Sequence, residues 1–197
     1  MKTVLSALAA AIFTVAAPAW GSVVVIGNDA GHQCYLSARF NLDPAQGIDA
    51  CNHALLAPLS RIERAGTHVN RGVMEAALGE EDKALEDFDQ AIAENPGLGD
   101  GYLNRGAMLV NRKKYSEARA DIERGIALGP SMPEVGYYDL GVVEQALGLY
   151  EKAYADYRQA LSLAPYFQPA IHALEDFSHA PLPAGLPVLA RRATVRP

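Results

Sequence analysis

Two histidines and two cysteines stand in mirrored order along the chain, His32-Gln33-Cys34 and Cys51-Asn52-His53, a donor set that would suit a zinc ion. Structural zinc sites usually separate paired ligands by two to four residues, whereas i and i+2 on a helix point about 200° apart. The favoured reading is therefore a disulfide between Cys34 and Cys51, with metal binding as the alternative. Other reactive-looking groups are weaker. Gly97-Leu98-Gly99-Asp100-Gly101 superficially resembles a phosphate loop but follows a helical pattern, so it reads as a turn between helices. Glu80-Glu81-Asp82 suits the positive end of a helix that follows it. Ser178-His179 beside Asp176 falls at the end of the last helical pattern, where a nucleophilic triad would lack support. There is no GxSxG, HExxH or CxxCH. The expectation is a protein without catalytic residues, metal or cofactor.

The amino-terminal stretch MKTVLSALAAAIFTVAAPAWGS has one lysine, an apolar run and then small residues, the layout of a secretory signal peptide. Ala17-Pro18-Ala19 and Ala19-Trp20-Gly21 both fit a signal peptidase, giving a mature start at Trp20 or Ser22 and a periplasmic or secreted protein. An uncleaved anchor is the alternative, because apolar character continues through Val23-Val24-Val25-Ile26; Pro18 and the cleavage patterns interrupt it. No cysteine follows the run in lipoprotein fashion. The formal charge is −6, and Lys2 is the only charged side chain that processing would remove. An acidic chain without a basic run is poorly suited to nucleic acid or anionic membrane surfaces. Two cysteines in an exported chain read first as a bridge.

The elements that position these groups follow from an internal period. Asn70-Arg71-Gly72 returns 34 residues later as Asn104-Arg105-Gly106, and 35 residues after that as Asp139-Leu140-Gly141. Three segments superpose: 65–98, 99–132 and 134–168. Position 8 of each is Gly72, Gly106 and Gly141; position 20 is Ala84, Ala118 and Ala153. Position 24 is Phe88, Ile122 and Tyr157; position 27 is Ala91, Gly125 and Ala160; position 32 is Pro96, Pro130 and Pro165. Small residues at 8 and 20 let two antiparallel helices cross closely, the larger residue at 24 fills the space beside the crossing, and proline closes the second helix. Each unit is a helix hairpin that must stack on its neighbours to bury its apolar face.

These columns resemble the tetratricopeptide repeat, although position 4 holds His68, Tyr102 and Tyr137 where that family often has tryptophan. The resemblance implies an all-α solenoid of antiparallel helix hairpins whose first helices line a concave groove. On this chain the groove would offer Val69, Asn70 and Val73, then Asp100, Leu103, Asn104, Ala107, Val110 and Asn111, then Tyr138, Asp139, Val142 and Gln145. Aliphatic surface with spaced amides suits an extended or helical peptide whose backbone Asn70 and Asn104 could hydrogen-bond. Alternatively, the asparagines only bridge neighbouring helices. The lysines and arginines with which the family captures acidic peptide ends, at positions 2, 5 and 6, are absent.

Upstream, Ser60-Arg61-Ile62-Glu63 is a capping box. Before it, 31–40 and 45–56 form a degenerate hairpin, with Cys51 in the position-24 column and Cys34 opposite. The organisation expected is signal peptide 1–21, degenerate hairpin 22–64 with Val23–Ile26 extended against it, three repeats 65–168, a capping helix 169–178 and a Pro/Arg tail 179–197. The leading functional expectation is an exported, non-catalytic scaffold for a protein or peptide partner. The alternative is a small-ligand or metal carrier, or an accessory subunit of an envelope enzyme, with its site at His32, Cys34, Cys51 and His53.

Overall fold

The structure is a computed structural model that describes residues 21–24 and 29–179, apart from the side chains of 178 and 179. The expected signal peptide up to residue 20, residues 25–28, the Ser178-His179 side chains and the tail beyond 179 lie outside the described residues.

The described chain forms helices α1 (Asp29–Phe40), α2 (Pro44–Leu55), α3 (Arg61–Ala77), α4 (Glu81–Glu94), α5 (Gly99–Asn111), α6 (Tyr115–Ala127), α7 (Pro133–Ala146), α8 (Tyr150–Leu163) and α9 (Gln168–His179). Consecutive helices pair as hairpins, α1 with α2 through α7 with α8, and each second helix packs on the next first helix. The first helices α1, α3, α5 and α7 also touch in series, so they form the inner, concave layer of an all-α solenoid.

Local signals start and stop these helices. Asp43 caps α2, accepting from the amides of Ala45 and Gln46 at 3.0 and 3.3 Å. At α3 the Ser60 amide donates to Glu63 Oε2 (2.9 Å) while the Glu63 amide donates to Ser60 Oγ (3.3 Å), completing the capping box. The glycine-rich stretch 97–101 is a turn only as far as Leu98, since α5 begins at Gly99.

The close crossings fall at the small positions. A Cβ added at Gly72 would stand 2.7 Å from Phe88 Cε1, at Gly106 2.7 Å from Ile122 Cγ1, and at Gly141 2.6 Å from Tyr157 Cε1, all closer than packed atoms tolerate. Ala84, Ala118 and Ala153 are fully buried beside them. At the carboxyl end α9 closes the stack, with Phe177 edge-on to Tyr157 at 5.8 Å. At the other end Cys34 and Cys51 are bonded, joining α1 to α2 at a Cα separation of 4.8 Å. No helix among the described residues is long and apolar enough to cross a membrane.

Candidate peptide-binding groove

The same helical position, the sixth of each repeat, places Asn70 on α3, Asn104 on α5 and Asp139 on α7 along the concave face. Across the first two lies the chain's own segment 21–24. Asn70 Nδ2 donates to the Val23 carbonyl (2.7 Å) and its Oδ1 accepts the Val23 amide (2.8 Å). Asn104 repeats the arrangement on Gly21, donating at 2.8 Å and accepting at 3.2 Å. Each carboxamide thus presents one donor and one acceptor to one residue of an extended backbone, skipping Ser22 between them. Ser131, in the loop before α7, donates from Oγ to the Ser22 carbonyl at 3.4 Å and also to Asp100 Oδ1. A Cβ at Gly21 would meet Asp100 Oδ1 at 3.0 Å, so glycine fits that rung best.

The balance holding this segment is narrow. Four hydrogen bonds contribute on the order of 1 kcal/mol each, while fixing each residue costs a similar ~1 to 2 kcal/mol. Val23 adds apolar contact with the cluster around Cys34, Val69 and Phe88, whereas Val24 faces solvent.

Next to the amide rungs the first two repeats carry a second ladder. Arg71 donates from Nε to Asp87 Oδ2 and from Nη2 to Asp87 Oδ1, both at 2.7 Å, and from Nη1 to Asn52 Oδ1 of the preceding hairpin at 2.7 Å. Arg105 does the same with Asp121 (2.7 and 2.8 Å) and with Asp89 of the preceding hairpin (2.7 Å). Each arginine therefore ties its own hairpin shut and fixes its register on the last. Burial alone would raise the Asp87 carboxyl, but hydrogen bonds from Arg71 and His68 outweigh it and hold it below its usual value. Nearby Glu75, desolvated and facing the Asp87 charge, is pushed up to about 7. This ladder was missed at the sequence level, although Arg and Asp recur 16 residues apart in both repeats, a spacing that joins two antiparallel helices.

The third repeat breaks both ladders. Asp139 is buried, its Oδ2 has no hydrogen-bond partner among the described residues, and burial pushes its carboxyl up to about 8. Leu140 stands where an arginine would, and Asp156, left without one, is raised to about 6 by burial and then by the charge of Glu144. Arg119 partly substitutes, bridging Glu123 (2.9 Å) and Glu144 (3.2 Å).

The expected groove residues separate into three groups. Asn70 and Asn104 are the rungs, and both are covered by segment 21–24, so Asn104 is not freely accessible as expected. Val69, Leu103 and Tyr138, all at position 5, turn into the core instead of the groove. Tyr138 lies between Tyr157 and Phe167, each with ring centroids 5.7 Å away, which corrects its expected place on the accessible face. Val73 and Ala107 are buried along the inner layer, Val142 is half-buried and Asn111 is exposed. Segment 21–24 also reaches further than expected, spanning the first two repeats instead of lying only against the first hairpin. In that hairpin the sulfurs of Cys34 and Cys51 are bonded to each other, so neither is a thiolate ligand, and His32 and His53 are exposed. Among the described residues no group of three or more His, Cys, Asp or Glu could hold a metal ion.

Hairpins crossing at paired small residues, stacked with an inner layer of first helices, define a helical repeat protein. A family model described as "Tetratricopeptide repeat" matches residues 136–167, and with the stacked hairpins around that match this is a tetratricopeptide repeat protein. Among curated proteins it resembles the photosystem I assembly protein Ycf3 of Prochlorococcus marinus subsp. pastoris, 29% identical over 89 residues, 45% of this chain and 51% of that one. The chain spans about half the length of the Ycf3 relatives it matches. Among solved structures, PilW, described as a type IV pilus biogenesis factor, superposes with a TM-score of 0.65 at 21% identity, covering 78% of this chain and 69% of PilW. The first repeat domain of RPAP3, solved bound to an HSP90 peptide, superposes with a TM-score of 0.56 at 24% identity, covering 60% of this chain and 93% of that domain. These structural likenesses show the fold.

Proposed function

We propose that this protein is an exported, non-catalytic scaffold that binds an extended segment of a protein partner along its concave groove. The observation carrying this reading is the pair of asparagines, 34 residues apart in the sequence, each of which grips one residue of an extended backbone by donor and acceptor together. Such a device reads main chain and leaves side-chain identity open. The RPAP3 domain, solved with an HSP90 peptide, is a relative in fold that takes a peptide. Here Asp100 lies beside the bound Gly21 and the lysines and arginines that would take a carboxylate at positions 2, 5 and 6 are absent, which disfavours acidic peptide ends. Export is supported by the amino-terminal layout of lysine, apolar run and small residues, and by the Cys34–Cys51 bridge, which persists in oxidising compartments.

The test is capture of partners from an envelope extract on wild-type protein and on Asn111→Arg, which places bulk and charge at an exposed position about two turns along α5 from Asn104. Specific partners should drop at least tenfold on the variant while the helical melt is unchanged. Unaltered capture would send the search to the convex face.

A further inference from the structure

We propose that residues 21–24 are a built-in occupant of the groove, and that the partner is an extended segment of the same chemistry which enters by displacing them. The proposal deepens the peptide-binding reading and rests on it. Three observations carry it. First, each groove carboxamide spends a donor and an acceptor on Gly21 or Val23, so a peptide read by those same bonds and segment 21–24 exclude one another. Second, all the segment's polar contacts run through its backbone: Ser22 Oγ has no hydrogen-bond partner among the described residues, Val24 is exposed, and only Val23 adds an apolar side-chain contact, so a different sequence can take the same bonds. Third, the favourable and unfavourable contributions nearly cancel, which leaves the segment displaceable.

The geometry also specifies the ligand. Its chain runs from the second repeat towards the first, with glycine or another very small residue facing Asp100 and a β-branched residue two positions later beside Val69. Each rung advances the backbone by two residues, so a ligand continuing towards its amino end meets Asp139 next. That buried carboxyl, lacking a partner on Oδ2, takes a hydrogen-bond donor there, an amide or a free amino group.

The experiment uses the chain beginning at Trp20, the expected mature start that keeps Gly21, and a fluorescein-labelled, end-capped peptide of residues 20–26, Trp-Gly-Ser-Val-Val-Val-Ile. Hydrogen exchange at the Gly21 and Val23 amides of wild-type protein should be slowed at least tenfold relative to the free peptide. The double variant Gly21→Pro/Val23→Pro removes both N–H donors and releases the segment. With its helical circular dichroism intact, it should bind the peptide at least tenfold more tightly than wild type does. Adding Asn70→Ala/Asn104→Ala should abolish that gain. A peptide extended by two amino-terminal glycines should bind the released chain more tightly still, unless Asp139→Ala is also present. Unprotected amides in the wild type would overturn the proposal and leave the partner-binding reading standing on the Asn111→Arg capture. Protected amides with equal peptide affinity for both chains would also overturn it, making the segment a permanent brace. Concentration-dependent dimers of wild-type protein that vanish in the double proline variant would overturn it in favour of exchange between copies.

Discussion

The first two repeats and the third differ in two adjacent residues, and the difference separates what the fold requires from what the groove does. All three keep the glycine that allows the helices to cross, and all three have the same hairpin. Only the first two have Asn followed by Arg. There the asparagine faces inward and holds an extended backbone, while the arginine beside it closes the hairpin onto an aspartate, buried in the first repeat and partly exposed in the second. The third has Asp139 and Leu140 instead, and its aromatic cluster of Tyr138, Tyr157, Phe167 and Phe177 does the closing. Glycine in the motif thus belongs to architecture, arginine to stability and register, and asparagine to holding an extended backbone on the inner face.

The largest expected effect comes from converting the first repeat into the third at its arginine. Arg71→Leu leaves Asp87, whose side chain is only 4% exposed, without its bidentate partner and with His68 alone of the two donors that hold its pKa down. Removing one member of such a pair is expected to lower stability by about 3 kcal/mol, or roughly 6 to 12 °C in a thermal melt of a chain this size. The Asp87 carboxyl should then titrate higher than in the wild type, as read by NMR, with the His68 bond still opposing the effect of burial. Arg105→Leu should cost less, because Asp121 is 14% exposed. Equal losses at both arginines would mean that burial of the carboxylate does not set the effect.

A smaller effect, of opposite sign, is expected from making the third repeat like the others at its inward position. Burial raises the Asp139 carboxyl from 3.8 to about 8. Between those values the folded molecule keeps a proton that the unfolded chain has lost, so this group makes stability fall as pH rises from about 4 to about 8. Asp139→Asn removes the titration and should raise stability by on the order of 2 kcal/mol at pH 8, with little change at pH 4. Melts across that range compare the slopes. A variant that keeps the wild-type slope would place the responsible proton on Glu75 or Asp156 instead.

Much of this was legible beforehand because repeats report themselves. Columns of small residues and proline at a fixed spacing can only be satisfied by stacked hairpins, and Asn70 and Asn104 stood out as in-register amides. What they bind was not legible. The bonds from Asn104 to Gly21 and from Asn70 to Val23 span 83 and 47 residues, and segment 21–24 carries no periodicity to mark its place. Tyr138 was misplaced for a related reason. A position assigned to the groove by family resemblance is drawn into the core when Phe167, from the turn between α8 and α9, supplies an edge for its ring to pack against. The arginine ladder was written plainly, but its meaning depends on pairing two columns, and columns read singly conceal it.

The smallest effect tests whether the repeats are equivalent where they ought to be, in the turn inside each hairpin. Position 15 is Gly79 in the first repeat and Gly148 in the third, with φ of 78° and 77°. In the second it is Lys113, which takes the same left-handed conformation at φ 58°. The turn demands it: the Lys113 amide donates to the Val110 carbonyl (2.8 Å), as Gly79 donates to Ala76 and Gly148 to Gln145 (both 3.0 Å). A side chain in that region costs about 1 kcal/mol, which glycine relieves while giving back part through the greater freedom of its unfolded chain. Lys113→Gly should therefore stabilise by roughly 0.5 kcal/mol, a rise of about 1 to 2 °C, and Gly79→Lys should lower the melt by a similar or slightly larger amount. Lys113 is solvent-exposed, so its ammonium has little packing to lose. A drop in melting temperature for Lys113→Gly would show that the lysine contributes something the glycines of the other two turns do not, and the second repeat would then stand apart from its neighbours in its architecture as well.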